Sequence, residues 1–522
     1  MQDYDEVTAF LGHWGHFQQS VFFLLCASVL PNGFGSFSLI FLTDIPRHHC
    51  LVPDINLTED WHQAIIPMEM VNGKLELSRC RRYRLDVVKN LSAQGYIPGQ
   101  DVNLTNLEQE GCVDGWSYSK DIYKSTIVSE FDLVCSEEWK QPFTSTVYFM
   151  GVLVGSFFSG QLSDRFGRKP VLFLTMALQT LFTFVQIFSS SWTVFCILLF
   201  ISGLGQISNY VSAFVLGTEI FTGNVRVLFS SMGVCLAFAF GFMMLPLFAY
   251  FLRDWTYLLL GISLPGLLYF PLWWLIPESP RWLLSQGRVE EAENIVKYAA
   301  KKNKVEAPQV IFDDYDSPTQ ANERHSIFIV IQSTYILGMN RISYVTGYFG
   351  LSLNTSRLHA DPFISCFISA AVEVPAYITS WLALQYLPRR LAVVSILLLG
   401  GVSLLIQIFN FFFPSGLSYL SITLEMVGKF GITTGTALMF VYTAELFPTV
   451  LRNTATGMCT TVSRVGSCIA PFLLKLSQYF KYLPYITLGT LAVVSAFATV
   501  FLPESFGRPL PQTIEQMHKR ER

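Results

Sequence analysis

Charged side chains inside long apolar stretches are the first residues in this sequence that could do chemistry. Arg464 lies in S-R-V-G-S and Lys429 lies in G-K-F-G, each within an apolar run. A charge in such surroundings is costly unless it faces a cavity or an opposite charge, so it indicates a functional role. We predict that Arg464 binds the carboxylate of a ligand. The alternative is a structural ion pair with Glu373 or Glu425.

Lys429 is a second candidate for ligand binding, because it is another charge in an apolar run. Glu425 precedes it by one helical turn. An i, i+4 pair of opposite charges on a helix can neutralise both side chains. We therefore predict that Lys429 and Glu425 pair, and that Glu425 alters the charge around the site.

Side-chain amides form a second set of polar interruptions. Asn32 lies between Pro31 and Gly33, and Gln206 and Asn209 follow in a later apolar run. Sodium prefers oxygen ligands such as amides and carbonyls where a helix is locally broken. The sequence therefore predicts a sodium site at Asn32, Gln206 and Asn209. Hydrogen bonds between helices are the alternative use of these amides.

Aromatic side chains offer a surface for a cation. A cation–π contact contributes about 0.5–2 kcal/mol, and aromatic residues make up 15% of the chain. At that abundance most of them pack in the core or face lipid. The candidates for a cation site are Tyr210, Phe242, Tyr348, Phe349, Phe440 and Tyr442, of which we favour Tyr210 and Tyr442 because polar residues adjoin them.

Long apolar runs must position these residues, because 51% of the 522 residues are hydrophobic and only 14% are charged. A single soluble core would not bury that much apolar surface, whereas a bilayer supplies an apolar solvent. About 20 apolar residues cross roughly 30 Å of hydrocarbon as a helix. The sequence predicts twelve spans, near 17–42, 143–162, 170–188, 192–215, 230–252, 255–276, 327–349, 363–386, 391–413, 416–441, 456–476 and 483–502.

Basic residues are concentrated after spans 2, 6 and 8 and at the end of the chain. The positive-inside rule therefore predicts that these segments and both termini are cytoplasmic. No cleavable signal is expected, because residues 1–16 carry acidic side chains instead of a basic n-region. We expect span 1 to act as the insertion signal.

The segment 43–142 is then extracellular, and its composition agrees with that location. It carries three N-x-S/T sequons, at Asn56, Asn90 and Asn103, which predict glycosylation. An even number of cysteines in an oxidising compartment predicts two disulfides, with three possible pairings. The cysteines are Cys50, Cys80, Cys112 and Cys135.

An internal repeat sets the architecture. T-E-I-F-x3-V-R at Thr218–Arg226 returns as A-E-L-F-x3-L-R at Ala444–Arg452, and P-E-S at Pro277–Ser279 returns at Pro503–Ser505, both at an offset of 226 residues. A shared offset across two separate motifs indicates two related halves. The predicted organisation is a cytoplasmic segment 1–16, a first half 17–276 that includes the loop 43–142, a cytoplasmic linker 277–326, a second half 327–502 and a cytoplasmic segment 503–522.

The segment Gly160–Lys169 reads G-Q-L-S-D-R-F-G-R-K and resembles the loop 2–3 signature of the major facilitator superfamily, G-x3-D-R-x-G-R-K. The resemblance implies an all-α membrane protein of two six-helix halves with a substrate site near the midplane. Charges at the bilayer boundary prefer to pair. We predict gating ion pairs that hold an outward-facing state; simple topology anchors are the alternative. The predicted gating residues are Asp164, Arg165, Arg168, Glu219, Arg226, Glu278, Arg281, Glu445, Arg452 and Glu504.

Further strings resemble the organic cation/carnitine transporter (OCTN) branch of solute carrier family 22. They are M-x-D-Y-D-E-V-T-A-F-L-G at the start, G-Q-I-S-N-Y-V at Gly205–Val211, P-E-S-P-R-W at Pro277–Trp282 and P-E-S-F-G-R-P-L-P from Pro503. This resemblance covers nearly the whole chain. It implies uptake of carnitine, related zwitterions or organic cations across the plasma membrane, with sodium as the coupling ion for carnitine. It also supports Arg464, since the carnitine and organic-anion branches carry arginine there.

Other functions stay open or are not expected. Span 7 is shorter than in that branch and contains Asn340–Arg341, so a non-transporting receptor or sensor is an alternative. A sodium-independent carrier of organic cations or of ergothioneine is another. The string G-T-E-I-F-T-G-N at Gly217–Asn224 lacks the lysine of a P-loop, so nucleotide binding is not expected. No motif indicates an enzyme. The expected partners are a carnitine-like substrate, sodium and the lipid bilayer, with no other metal, cofactor or nucleic acid.

Overall fold

The computed structural model describes residues 4–71, 74–312, 327–354, 361–407, 418–446, 449–480 and 482–502. Helices occupy each predicted span in these residues, including span 7. Eight of the described helical segments are long and apolar enough to cross a membrane. The predicted total of twelve crossings stays a prediction.

The first half is built from α1 to α12. Gly167, at φ +106°, separates α7 from α8, a backbone conformation that favours glycine. Ser191 caps α9 by accepting a hydrogen bond from the backbone N–H of Val194. A π-helical turn, Phe229–Gly233, joins α10 to α11. The bounds are α1 Tyr4–Val7, α2 His16–Ser36, α3 Leu39–Leu42, α4 Glu59–Ala64, α5 Leu85–Ala93, α6 Ile127–Phe131, α7 Lys140–Phe166, α8 Arg168–Val185, α9 Trp192–Ile220, α10 Gly223–Leu228, α11 Val234–Phe251 and α12 Trp255–Leu267.

The linker and the second half contain α13 to α20. Asp361 caps α16 by accepting hydrogen bonds from the N–H groups of Phe363 and Ile364, with Pro362 at the first helical position. The bounds are α13 Pro280–Ser285, α14 Val289–Lys302, α15 Ile327–Leu353, α16 Pro362–Tyr386, α17 Arg389–Ile406, α18 Ser418–Leu446, α19 Thr449–Lys475 and α20 Leu483–Thr499.

The helices of the two halves pack in the same pattern. In the first half α2 packs on α11, α7 and α8 on α9, and α8 on α12. In the second half α15 packs on α19, α16 and α17 on α18, and α17 on α20. Glycines allow the closest approaches: a Cβ on Gly33 of α2 would lie 2.8 Å from the Cα of Gly241 on α11. Such small residues let helix backbones approach closely in a membrane.

The two halves meet along a seam where α7 packs on α19 and α11 on α16. We call the end of the helices that carries the segment 43–134 the loop face, and the end that carries α13 and α14 the linker face. Aromatic rings close the seam toward the loop face. Phe149 lies 4.8 Å from Phe349 and Phe41 lies 5.4 Å from Phe363, measured between ring centroids. The halves are therefore in contact at the loop face.

The loop segment folds around its own small core. It contains three antiparallel strand pairs: β1 His48–Cys50 with β6 Trp116–Tyr118, β2 Met68–Val71 with β3 Lys74–Leu77, and β4 Arg81–Tyr83 with β5 Gln109–Gly111. Trp61 and Ile65 are fully buried in the core between them. The disulfides are Cys50–Cys112 and Cys80–Cys135, which confirms the predicted number and selects one of the three pairings.

Candidate functional site

Arg464 lies on α19, the second-half helix that packs against α7 of the first half. It lies near Tyr148 of α7 and Tyr210 of α9. Its Nε atom is buried and has no hydrogen-bond partner among the described residues. Neither Glu373 nor Glu425 forms an ion pair with it in the part of the chain that the structure describes. The structural ion pair is therefore not formed, and Arg464 keeps donors for an external anion.

Lys429 on α18 pairs with Glu373 on α16. Its Nζ lies 3.4 Å from Oε1 of Glu373, and the two side chains are 1% and 0% exposed. Lys429 also donates to Oγ of Ser369 at 2.6 Å, and the hydroxyl of Tyr348 donates to Oε1 of Glu373 at 2.6 Å. The predicted ion pair between Lys429 and Glu425 is thus wrong. A contact between helices replaces the contact along one helix, because α16 and α18 pack together.

Phe242 on α11 and Tyr348 on α15 form an aromatic surface across the seam. Nζ of Lys429 lies 4.7 Å from the ring centroid of Phe242 and 5.7 Å from that of Tyr348. Both distances are within the range of about 6 Å for a cation–π contact. The chain's own ammonium group therefore occupies this aromatic surface.

The other candidate aromatic residues have different surroundings. Tyr210 lies near Arg464, and its hydroxyl is 3.8 Å from Sγ of Cys235. Phe349 belongs to the closed layer at the loop face. Tyr442 is fully buried among the apolar residues of the second-half core. Phe440 is part of the seam, with its ring centroid 6.1 Å from that of Phe214 on α9.

Glu425 is fully buried, and neutral groups donate to it. The hydroxyl of Tyr485 on α20 donates to its Oε2 at 2.7 Å, and Nδ2 of Asn354 lies 3.5 Å from its Oε1. Nδ2 of Asn354 also donates to the hydroxyl of Tyr485 at 2.7 Å. Asn354 and Tyr485 are not predicted from the sequence, because they are distant from Glu425 in the chain and no local pattern indicates them.

Of the three predicted sodium ligands, Asn32 on α2 contacts Gln206 on α9, and Asn209 follows Gln206 by three residues on α9. Asn32, Gln206 and Asn209 are 0%, 2% and 1% exposed. Nε2 of Gln206 lies 3.4 Å from the backbone oxygen of Asn32 and 3.5 Å from its Oδ1. Within the described residues, Nδ2 of Asn32 and both polar atoms of the Asn209 side chain have no hydrogen-bond partner. Buried amides without partners are uncommon and call for an explanation such as water or an ion.

Several predicted gating residues form one network at the linker face. Arg168 contacts Oε1 of Glu219 and Oδ1 of Asp164, each at 2.9 Å. The carboxylate of Glu278 accepts hydrogen bonds from the backbone N–H groups of Arg168 and Lys169. Burial raises the pKa of Glu278, while these backbone donors oppose the shift. All five residues belong to the first half and the linker.

Asp5 is a linker-face residue that was not among the predicted gating residues. It forms ion pairs with Arg226, at 3.1 Å, and with Arg281. Its neighbour Tyr4 packs on Phe312 and beneath the guanidinium of Arg281. The acidic start of the chain was the available signal, since the predicted topology puts it on the same side of the membrane as Arg226 and Arg281. Glu219 and Arg226 thus have separate partners, Arg168 and Asp5.

The remaining predicted residues are placed as follows. Arg165 is exposed, with its guanidinium 5.4 Å from the ring of Phe166. Glu504 lies outside the described residues, and the side chains of Glu445 and Arg452 lie outside the described part as well. The sequon residues Asn56, Asn90 and Asn103 are all exposed in the loop segment.

Known proteins resemble this chain along almost its whole length. A family model described as "Sugar (and other) transporter" matches residues 111–517. "Organic cation/carnitine transporter 2" is 53% identical both in Rattus norvegicus and in Homo sapiens, covering 99% of this chain and 94% of either protein. "Solute carrier family 22 member 4" of Mus musculus is 53% identical, covering 99% of this chain and 95% of that protein.

A solved structure shares the fold at low identity. The partially occluded inward-open conformation of the xylose transporter XylE from E. coli aligns with a TM-score of 0.62. The alignment covers 95% of this chain and 100% of that chain at 14% identity. A likeness at this identity shows the fold alone, and it confirms the predicted major facilitator fold.

Proposed function

Because the chain belongs to the organic cation/carnitine transporter branch of solute carrier family 22, we propose that it takes up carnitine or a related quaternary-ammonium zwitterion. Proteins of this family and fold are membrane transporters and not enzymes. Uptake proceeds by alternating access and is coupled to sodium. The protein acts in the plasma membrane, with the loop face outside, glycans on the three sequons and both termini in the cytoplasm.

The observation that carries the proposal is Arg464 at the seam between the halves. A buried arginine in a membrane is costly without a partner. Its buried Nε has no hydrogen-bond partner among the described residues. A substrate carboxylate supplies the missing acceptor, and Tyr210 stands on the opposite side of the seam. An organic cation without a carboxylate would leave that arginine unsatisfied.

The cationic end of the substrate binds at the aromatic surface of Phe242 and Tyr348. Lys429 lies on that surface in this structure and is neutralised by Glu373. A methylated ammonium that arrives there takes over the cation–π contacts as Lys429 moves aside toward Glu373. The carboxylate and the ammonium of one zwitterion are then recognised by different helices of the two halves.

The sodium ion binds at the buried amides of Asn32, Gln206 and Asn209. Their oxygens are suitable ligands for a hard cation, and the polar atoms of Asn209 have no other partner in the described residues. The network around Arg168 stabilises the linker-face end of the first half. It serves as a gate when the second half approaches that end. The closed aromatic layer at the loop face agrees with a state that is shut on the outer side.

Two alternatives rest on specific features. Glu373 beside an aromatic surface also suits a plain organic cation, which would need neither Arg464 nor sodium. Ergothioneine is a betaine, so it fits the same contacts as carnitine. Arg341 inside α15 motivates the alternative of a non-transporting receptor. The continuous helix α15 favours transport, because span 7 is formed in spite of its charge.

The test is uptake of labelled carnitine into proteoliposomes that contain the purified protein, with and without an inward sodium gradient. Competition by ergothioneine and tetraethylammonium ranks the substrates. Arg464→Ala should reduce carnitine uptake about 10- to 100-fold, which corresponds to a lost charge-assisted hydrogen bond of about 1.5–3 kcal/mol. Arg288→Ala, at a residue with a 48% exposed side chain, is the matched control.

Three results would contradict the proposal. Intact carnitine uptake in Arg464→Ala with reduced cation uptake would show that the arginine does not bind the carboxylate. Uptake that does not respond to the sodium gradient would favour the sodium-independent carrier. Binding of carnitine without uptake would favour the receptor.

A further inference from the structure

Arg341 is a second guanidinium at the seam, and it has no acidic partner among the described residues. It lies on α15, where it is 7% exposed. Its Nη1 donates to Oγ1 of Thr460 on α19 at 3.0 Å. Its guanidinium carbon lies 5.4 Å from the ring centroid of Phe440. A neutral hydroxyl and an aromatic face hold the side chain in place, but neither neutralises its charge.

Arg341 and Arg464 lie at neighbouring levels of two tightly packed helices. A Cβ added to Gly466 on α19 would contact the backbone oxygen of Ile342 and Oγ1 of Thr346, both on α15. Thr460, which binds Arg341, precedes Arg464 by four residues, which is one helical turn. Arg341 therefore binds α19 about one turn before Arg464, and the two like charges are close enough to repel one another.

The charges around this pair do not balance within the described residues. Lys429 and Glu373 neutralise each other. Glu425 accepts hydrogen bonds from Tyr485 and Asn354 and contacts neither arginine. Neither guanidinium is thus in contact with an acidic side chain of the described residues. Uncompensated positive charges in a low-dielectric site favour binding of an anion. The paired N–H donors of an arginine guanidinium match the two oxygens of a carboxylate.

We propose that Arg341 and Arg464 form a two-guanidinium anion site, so that the favoured substrate is a quaternary-ammonium ester with a second carboxylate. This inference rests on the proposed function, because Arg464 binds the carboxylate nearest the ammonium group. Arg341 binds the second carboxylate, which lies at the far end of the acyl chain. Arg341 is then a residue that determines specificity, since a monocarboxylate leaves its charge unpaired.

Two esters of carnitine that differ by one carboxylate test this inference. The glutaric acid half-ester carries the second carboxylate, whereas the pentanoate ester ends in a methyl group at the same chain length. In the wild-type protein, the half-ester should inhibit uptake of labelled carnitine at a concentration about tenfold lower than the pentanoate ester does. This ratio is what one additional charge-assisted hydrogen bond provides. Arg341→Gln should reduce this ratio to about one, and Arg341→Lys should retain most of it. Arg288→Gln is the control and should leave the ratio unchanged.

A binding measurement separates failure of this inference from failure of the proposed function. Thermal stabilisation of the purified protein by each ester needs no transport, so it is informative even if carnitine is not taken up. Elution of each variant as a single species in size-exclusion chromatography verifies folding. Equal stabilisation by the two esters, or a half-ester preference that persists in Arg341→Gln, would overturn the inference. The inference would also be overturned if thermal stabilisation depended on chloride and did not differ between the two esters, because Arg341 would then bind an inorganic anion.

Discussion

The pair of Lys429 and Glu373 allows the sharpest test of how buried charges are arranged in this protein. Nζ and Oε1 are 3.4 Å apart, and the side chains are 1% and 0% exposed. With an effective dielectric constant of about 20, their attraction is about 5 kcal/mol. Removal from water costs several kcal/mol for each ion, so the intact pair has little net effect on stability. Loss of one member leaves the other charge buried and unpaired.

We therefore expect Glu373→Gln and Lys429→Met each to lower the free energy of unfolding by about 3–5 kcal/mol. The double variant should lie within about 1 kcal/mol of the wild-type protein, because no charge is then left unpaired. Unfolding of the purified protein by sodium dodecyl sulfate in mixed micelles provides these free energies. The four proteins form a double-mutant cycle, which isolates the coupling between the two side chains.

An exposed ion pair in the same chain is the control. Lys140 and Glu137 lie 2.7 Å apart, but their side chains are 26% and 46% exposed. The cycle of Glu137→Gln and Lys140→Met should show a coupling below about 1 kcal/mol. If the double variant at Glu373 and Lys429 is destabilised by the sum of the single effects, the two residues act independently and the reasoning is refuted.

Three further predictions concern the linker face and the loop segment. Asp5→Asn should lower the free energy of unfolding by up to about 1 kcal/mol, because its ion pairs are partly exposed, and the melting temperature should fall slightly. Glu6→Gln should leave the melting temperature unchanged, and equal melting temperatures of the two variants would contradict the role of Asp5. Burial lowers the pKa of His48 in the folded protein. The loop segment should therefore be most stable above the unfolded-state pKa of about 6.5, and it should lose stability as the pH falls through the lower folded-state pKa. Proteolysis of the loop should be faster at pH 5.5 than at pH 7.5, and His48→Gln should remove this difference. Replacing Cys80 and Cys135 by serine should cost about 2–5 kcal/mol, measured as increased proteolysis of the loop, and peptide mapping of the double variant should still find the other disulfide.

Much of the architecture could be predicted from the sequence because it depends on local composition. Each helical span needs an apolar run of fixed length, so the runs marked the long apolar helices in the described residues, including α15 with its internal Arg341. The offset repeat and the segment Gly160–Lys169 predicted the major facilitator fold, which the solved structures share. The number of disulfides followed from an even cysteine count, but their pairing required the folded loop.

The partners of the buried charges were harder to predict, because each depends on a neighbouring helix. Glu425 is one turn from Lys429 in the sequence, yet Glu373 on another helix forms the ion pair. Tyr442 adjoins polar residues in the chain, yet its side chain points into the second-half core. Asp5 contacts two arginines that lie more than 200 residues away.

The sequence by itself determined which segments are apolar enough to form membrane helices and which residues are costly within them, because the transfer of a side chain from water depends mainly on its own chemistry. It identified Arg464 and the three amides for that reason. Only the tertiary structure decided which of these groups neutralise one another and which are left with unused donors. Pairing requires an approach of a few ångströms between helices distant in the chain, and such distances arise from packing along the seam.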